Sequence, residues 1–517
     1  MASNGGFAGI RVGPLVPPYA RRYNYWSHKH LGVPGKLDLT ESMSDPQLII
    51  DGSHTLGSGK NTGIERVVRN LSRELRSTVV NRGLPALEVV THFQHHFLPM
   101  DRRLEGNLGN LSAWEANASR FVPGWIQTAP RWISRISGSK KCKKWMEPTA
   151  SHLGIYKVPH HLYRLSSLAG RMMRGGLLQP NPSQILLLPD AYWTRRDIWE
   201  TVARYRESGV MIATIIYDLI PLTHPEYVGR KRSEKFLGYV KQVVQNSDTI
   251  IAISKTVRDD VQKFISEQTN RELLCNDVRA FCLGAELANV TGPVRKNVEE
   301  VFASKTSSSP YLMVASFDPR KNHTQALDAF DLLWEEGSEA QLCFAGRTGS
   351  LCNDLMHRIE HHPQLNKRLW VFHDLSDAEL HYAYEHCSGV LLPSIVEGFG
   401  LPIVESLWHG RKTFASDTPI HREVGGDHCE YFPLYDGAAL AACIRRWELG
   451  SIGSKSKIDR ASTRQNPDDL NQHGYDGGDA MVQQASRFVP MTWKASAEQL
   501  LDELLAAYET YQGRRRK

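Results

Sequence analysis

GVLLPSIVEGFGLPIVESLWHG, residues 389–410, reads as one complete strand–turn–helix unit. An apolar run ends near Ser394, a Gly-Phe-Gly turn follows, and Pro402 opens a helix. Proline suits the first turn of a helix because its missing N–H would have no partner there. Apolar runs without polar alternation fit strands buried on both faces, as in a parallel sheet. Outward from this unit the same pattern recurs at YLMVAS (311–316), QLCFAG (341–346), LWVFHD (369–374) and RKTFAS (411–416). Helical stretches separate these runs. Ser376 and Glu379 have the spacing of a capping box, opening a helix with Leu380, Ala383, Tyr384 and Cys387 on one side. Strands alternating with helices at this spacing predict an α/β, doubly wound parallel sheet.

The first half carries the pattern in a looser form. QLIID (47–51) is followed by a Gly-rich loop, HTLGSGKNTG, and a helix from Gly63 to Leu75. Ile64, Val67, Val68, Leu71 and Leu75 make one apolar stripe along that helix. ILLLP (185–189), MIATIIYD (211–218) and DTIIAIS (248–254) supply further buried strands. The expected organisation is therefore two Rossmann-like domains facing a central cleft, 46–290 and 308–450, joined near 285–309. Residues 1–45 read as a leader. Residues 94–182, rich in Trp and basic side chains, read as an insertion in the first domain. Residues 451–488 read as a mobile polar loop, and 489–511 as a closing helix built on Leu500, Leu501, Leu504 and Leu505.

With 517 residues, 41% of them hydrophobic and 23% charged, the chain is neither disordered nor collagen-like nor a disulfide miniprotein. Its 8 cysteines contain no CxxC pair, so no metal-ligand cluster is apparent and a reducing compartment is expected. The start of the chain has no apolar h-region and no run is long enough to cross a bilayer. Cytoplasmic residence is the expectation, with peripheral contact at the inner face of the membrane as an option. That option rests on 131–177, where 10 Lys and Arg stand against a single acid, Glu147. The window suits an anionic membrane, a polyanionic polysaccharide or a solvated face. No nucleic-acid module is recognisable, and no nucleic-acid partner is expected.

Chemistry concentrates in four places. In 393–410, Gly398 and Gly400 would let the backbone approach a ligand, and the helix N-terminus beyond them could hold a phosphate. Glu397 and Glu405, eight residues apart, would accept hydrogen bonds from sugar hydroxyls, since carboxylates repel phosphate. In SFDPRKNH (316–323), Arg320 and Lys321 could neutralise a departing diphosphate. The other two places are the TGIER helix start (62–66) and YDLIPLTHPEY (217–227). His323, His373 and His421 read as structural or surface histidines.

Taken together, these stretches resemble the retaining glycosyltransferases of glycosyltransferase family 4, which have the GT-B fold. The resemblance rests on E-G-F-G-L-P-x-x-E with DPRKNH upstream, and covers about 49–75, 186–435 and 493–505. It implies that Glu397 contacts the donor sugar, with Ser394 and the Phe399, Gly400 and Leu401 backbone nearby. Glu405 would bind the nucleotide ribose, and Lys321 with Arg320 would hold the diphosphate. Gly346 would pass close to the nucleotide, Thr62 and Gly63 would lie near donor phosphates and acceptor, and Asp218 would sit on the acceptor side. Two departures stand out: Ala315-Ser316 replaces the family's frequent Gly-Arg, and Tyr217 replaces a frequent His.

The expected function is retaining transfer of a hexose from a nucleotide-sugar to a glycan or lipid-linked glycan in cell-surface polysaccharide synthesis. Mannose from GDP-mannose is the donor by analogy, and no cofactor beyond the donor substrate is expected. A non-catalytic glycan- or nucleotide-binding protein on the same fold, and a nucleotide-sugar epimerase, are the alternatives.

Overall fold

The computed structural model describes residues 45–58, 63–93, 95–99, 177–195, 197–267, 277–285, 292–303, 309–349, 351–462 and 491–516. The leader, Thr62, the basic window at 131–176, most of the insertion at 94–182 and the polar stretch 463–488 lie outside the described residues.

Two parallel sheets organise the chain. The first contains β1 (Gln47–Asp51), β2 (Glu88–Phe93), β3 (His96–Pro99), β4 (Gln184–Leu188), β5 (Met211–Ile216), β6 (Thr249–Ala252) and β7 (Val278–Ala280). Its order is β3-β2-β1-β4-β5-β6-β7. Only the β2–β3 pair is antiparallel, with Thr91 opposite Leu98. The strand at 96–99 falls inside the stretch expected to be an insertion. His96–Pro99 instead extends the sheet edge, because a tight reversal after Phe93 brings it back along β2.

The second sheet contains β8 (Tyr311–Val314), β9 (Leu342–Ala345), β10 (Leu369–Phe372), β11 (Gly389–Leu392), β12 (Thr413–Ser416) and β13 (Cys429–Phe432). Its order is β10-β9-β8-β11-β12-β13, with every pairing parallel. Residues along β4, β5, β9 and β11 are buried throughout. Helices cover both faces of such strands, which is why they lack polar alternation. Two doubly wound lobes of this kind constitute the GT-B fold.

The helices that matter for the site are α1 (Gly63–Asn81), α2 (Arg230–Asn246), α3 (Lys255–Glu267), α4 (His323–Glu335), α5 (Asp377–His386), α6 (Leu401–Trp408), α7 (Pro419–Gly425), α8 (Gly437–Ser462) and α9 (Trp493–Arg516). The stripe Val67, Val68, Leu71 and Leu75 seats α1 on the first sheet, and burial of Val79 carries the helix beyond Leu75. Ser376 caps α5 reciprocally with Glu379. α8 runs to Ser462, so the polar stretch expected to begin at 451 is helical over its first residues. That segment has no Pro to end the helix, and its Lys, Arg and Ala are helix formers among Ser and Gly that are not.

α9 follows the second lobe in sequence but packs on the first. Trp493, Ala497, Leu500, Leu501 and Leu504 share one buried cluster with α1 and β1. Ser496 Oγ donates to the Cys282 carbonyl at 2.6 Å, fixing the crossing. None of the described helices is long and apolar enough to cross a membrane.

Candidate functional site

In the second sheet the chain leaves β8 toward β9, then returns to place β11 on the opposite side of β8. In open α/β sheets such a switch point creates a crevice at the carboxyl ends of the strands. β8 leads into it through Ala315 and Ser316 to the 3₁₀ turn Pro319–Lys321. β11 leads into it through Ser394 to the turn before α6. The Ile395 N–H donates to the Arg320 carbonyl at 2.8 Å, joining the two loops.

That joint brings three charges together. Arg320 Nη1 donates to Glu397 Oε2 at 3.0 Å, and Lys321 Nζ donates to Glu397 Oε1. Burial alone would raise the Glu397 carboxyl, but the two cations overrule it and hold it at about 2. Burial pushes the Lys321 ammonium below its ordinary value, against the pull of Glu397. Ala315-Ser316, in place of the resembled family's frequent Gly-Arg, adds no cation to those of Arg320 and Lys321. Ser316 Oγ instead donates to Asp318 Oδ2 at 2.5 Å.

Asp218 approaches the trio from the first lobe, just past β5. Its Oδ1 accepts the Ile220 N–H at 3.0 Å. Burial pushes its carboxyl up, and Arg320 pulls it back down in part. Asp218, Arg320, Lys321 and Glu397, widely separated in sequence, therefore occupy one site.

Two of the glycines permit close backbone approaches. A Cβ on Gly398 would lie 2.3 Å from the Tyr217 carbonyl oxygen and 3.1 Å from Asp218 Cβ. The close approach it permits here is to the backbone of the opposite lobe. Its carbonyl also accepts from Ser254 Oγ at 3.1 Å. Gly400 has φ 95°, a left-handed conformation at the N-cap of α6. A Cβ on Gly346 would lie 1.8 Å from the Ala315 carbonyl oxygen, so this glycine lets two neighbouring strand ends touch. Gly63 opens α1 with nothing within 4 Å of a Cβ. Phe399 is buried and, with Leu401 beside it, packs into the first-lobe core.

Glu405 sits in the buried wall of α6, and both its oxygens are engaged. Arg66 of α1 pairs with Oε1, and Tyr384 Oη donates to Oε2 at 2.8 Å. Glu423 of α7 makes a second bridge between lobes. It accepts the Lys255 N–H at 2.6 Å and the Thr256 N–H at 2.8 Å, capping α3. Arg66, Tyr384 and Glu423 escaped the sequence reading. Arg66 lay within the TGIER stretch, but Tyr384 fell on an apolar helix face and Glu423 had no local pattern.

Among the buried polar atoms here that lack a hydrogen-bond partner among the described residues are Ser394 Oγ and His421 Nε2. His421 is fully buried and its Nδ1 lies 2.9 Å from the Ser416 carbonyl. A carbonyl only accepts, so Nδ1 carries the proton, and in the neutral ring Nε2 is left as an acceptor. Burial holds the ring neutral by lowering its pKa. His323 is likewise buried, its ring stacked on Phe317 at 4.5 Å, while His373 is exposed.

Residues 294–464 match the family described as glycosyl transferases group 1. The chain is 30% identical over 249 residues to the serotype-specific mannosyltransferase WbdA of Escherichia coli, across 47% of this chain and 30% of that protein. It is 24% identical to the O-antigen chain mannosyltransferase RfbU of Salmonella typhimurium, across 45% of this chain and 60% of that one. The chain thus spans under two thirds of the length of either relative. Sucrose-phosphate synthase from Thermosynechococcus elongatus superposes over 91% of this chain and 99% of its own, with TM-score 0.45 and 14% identity. That likeness is too distant to bear on residues or substrates.

Proposed function

We propose that the chain is a retaining glycosyltransferase that moves a hexose, mannose by analogy with its relatives, from a nucleotide-sugar to a glycan or lipid-linked glycan. The observation that carries this reading is the gathering of Arg320, Lys321 and Glu397 at the switch point of the second sheet, opposite Asp218. The similarity of 294–464 to glycosyl transferases group 1 supports it.

In this reading an arriving diphosphate competes with Glu397 for Arg320 and Lys321. The C1–O bond to phosphate breaks with its electron pair going to the phosphate oxygen, where the two cations stabilise the charge. The acceptor oxygen bonds to C1 from the same face, and its proton passes to that phosphate oxygen. Glu397, released in part from its cations, takes hydroxyls of the transferred sugar. Ser394 Oγ and His421 Nε2 are buried groups that further hydroxyls would satisfy. Glu405 takes the ribose hydroxyls when Arg66 yields.

The test is direct. Purified protein is warmed with GDP-, UDP-, ADP- and dTDP-sugars, and any stabilising donor is then given with mannosyl acceptors. A ligand that binds only the folded state adds about 2.7 kcal/mol at a hundredfold excess over its dissociation constant. Stabilisation by one nucleotide, weakened in Glu405→Gln, together with an α-linked product from an α-linked donor, is the expected result. A β-linked product would overturn retention. An altered free sugar without a new linkage would mark an epimerase, and no response to any nucleotide would overturn the assignment.

A further inference from the structure

The residue that directly follows Lys321 has a backbone conformation that few residues adopt. Asn322 is left-handed, with φ 57°, and the chain turns sharply there between the 3₁₀ turn and α4. Tyr435, in the loop between β13 and α8, is left-handed too, with φ 63°. This region crowds an L side chain, asparagine least and a bulky ring more. Such conformations persist where the surrounding structure over-determines them.

One side chain holds both. Gln325, in the first turn of α4, is 2% exposed. Its Oε1 accepts from Asn322 Nδ2 at 2.6 Å and from the Tyr435 N–H at 2.9 Å. Its Nε2 donates to the Pro433 carbonyl at 2.8 Å and to the Asp436 carbonyl at 3.1 Å. Carbonyls only accept, so the amide has one orientation, with both hydrogens and both lone pairs engaged. Of the side chains, only Asn and Gln set two donors beside such an acceptor in one plane, and Asn is a methylene shorter.

Each anchored loop bears on the site. Asn322 closes the turn that carries Arg320 and Lys321, its N–H donating to the Pro319 carbonyl at 3.0 Å. Tyr435, 68% exposed, reaches toward the first lobe, where burial and a hydrogen bond to it push the Tyr227 hydroxyl up to about 12. We infer that Gln325 is a positioning residue of the donor site. Its amide locks the 320–322 turn to the 433–436 loop and so sets where Arg320 and Lys321 present their charges to a diphosphate. The inference rests on the glycosyltransferase reading and adds to it a residue that touches no ligand. Relaxation of Asn322 to an ordinary φ would turn the peptide that joins it to Lys321 and carry Nζ away from Glu397.

Two variants of the full chain test it. Gln325→Leu fills similar space without hydrogen bonds, and Gln325→Glu keeps the acceptor but sets a carboxylate oxygen against two carbonyls. Binding is titrated by NMR for the nucleoside diphosphate of the stabilising donor and for the corresponding nucleoside. Both variants should bind the diphosphate about tenfold or more weakly, as for loss of a charge-assisted hydrogen bond, and the nucleoside as the wild type does. The Gln325→Glu defect should shrink relative to the wild type as pH falls, because the protonated carboxyl can again donate to a carbonyl. A general loss of packing would not recover in that way, and should Gln325→Leu fail to fold, this pH series carries the test. Hydrogen exchange read by mass spectrometry should rise together in peptides spanning 320–323 and 433–436. Equal weakening of both ligands, wild-type diphosphate affinity in a folded variant, or faster exchange in one segment alone overturns the inference. If the wild type binds no nucleotide while the two segments still open together in the variants, the transferase reading fails and the lock between the loops stands.

Discussion

Gly398→Ala probes the contact on which the assembled site depends. The new Cβ would sit 2.3 Å from the Tyr217 carbonyl oxygen. That is about 1 Å short of an ordinary nonbonded contact. The obstructing atom is backbone, so no rotamer change relieves it, and the turn at 398 must withdraw from the first lobe by about that distance. Glu397 is the adjacent residue, and Asp218 is adjacent to Tyr217, so the displacement falls on the charged groups themselves. A misplacement of about 1 Å can lower turnover about 100-fold, which corresponds to about 2.7 kcal/mol of barrier. Phe399, next in the turn, is buried in the first-lobe core and would be drawn out with it, so the melting temperature should fall by several degrees as well. Steady-state transfer with the stabilising donor gives the rate, and small-angle scattering should show a larger radius of gyration. Gly238→Ala is the control. It lies within α2 with nothing within 4 Å of a Cβ, and should stabilise the helix by about 0.5–1 kcal/mol. Full turnover in Gly398→Ala would refute the reasoning, as would loss of the folded state, which would make Gly398 a requirement of its own lobe.

Other outcomes follow from the same contacts. Leu504, fully buried in the first-lobe core although it follows the second lobe, should cost about 2–5 kcal/mol when replaced by Ala, read by urea denaturation. Arg66→Ala frees Glu405, so nucleotide should bind at least as tightly as in the wild type by calorimetry. Weaker binding would mean that Arg66 contacts the nucleotide itself. Removing the Glu423 cap by Glu423→Ala should lower stability by about 1 kcal/mol in the same denaturation assay. Several buried groups shape stability in acid. His323, lowered by burial to about 3, adds to the loss, and Asp51, raised by burial to about 7, opposes it. Two further contributions can be separated by mutation. His92 is buried and held neutral, its pKa lowered by burial from 6.5 to about 4. The unfolded chain therefore binds the extra proton, and stability drops as pH falls through that interval. Glu397, depressed from 4.5 to about 2, contributes fully above the upper value and loses that contribution as pH falls toward the lower. Relative to the wild type, His92→Gln should flatten the curve between about 6.5 and 4, and Glu397→Gln between about 4.5 and 2.

Much of the framework is legible in the chain because its causes are local. The apolar runs at 185–189, 211–218 and 311–316 are buried strands, since a strand covered on both faces has no polar position to show. The Ser376–Glu379 cap forms between residues three apart, so its signature is contiguous. The Gly-Phe-Gly turn and Pro402 specify a helix start on their own, and the motif around Glu397 marks the site. The polar composition of 451–462 did not announce a helix, because helix and loop share those residue types.

What the sequence by itself determined is therefore the set of strands and helices, their caps, and the short motifs carrying charge. Only the tertiary structure decided which charges meet. Arg66 and Glu405 pair across 339 residues of chain, and Lys321 and Glu397 across 76. Strand order decides the second pair, by placing β8 beside β11, and the packing of one lobe on the other decides the first, by setting the start of α1 against α6. Gly398 and Gly346 look alike in sequence, yet one accommodates the opposite lobe and the other a neighbouring strand end. Periodicity and capping extend over a few residues, whereas the partner of a side chain at a strand end depends on where the chain returns.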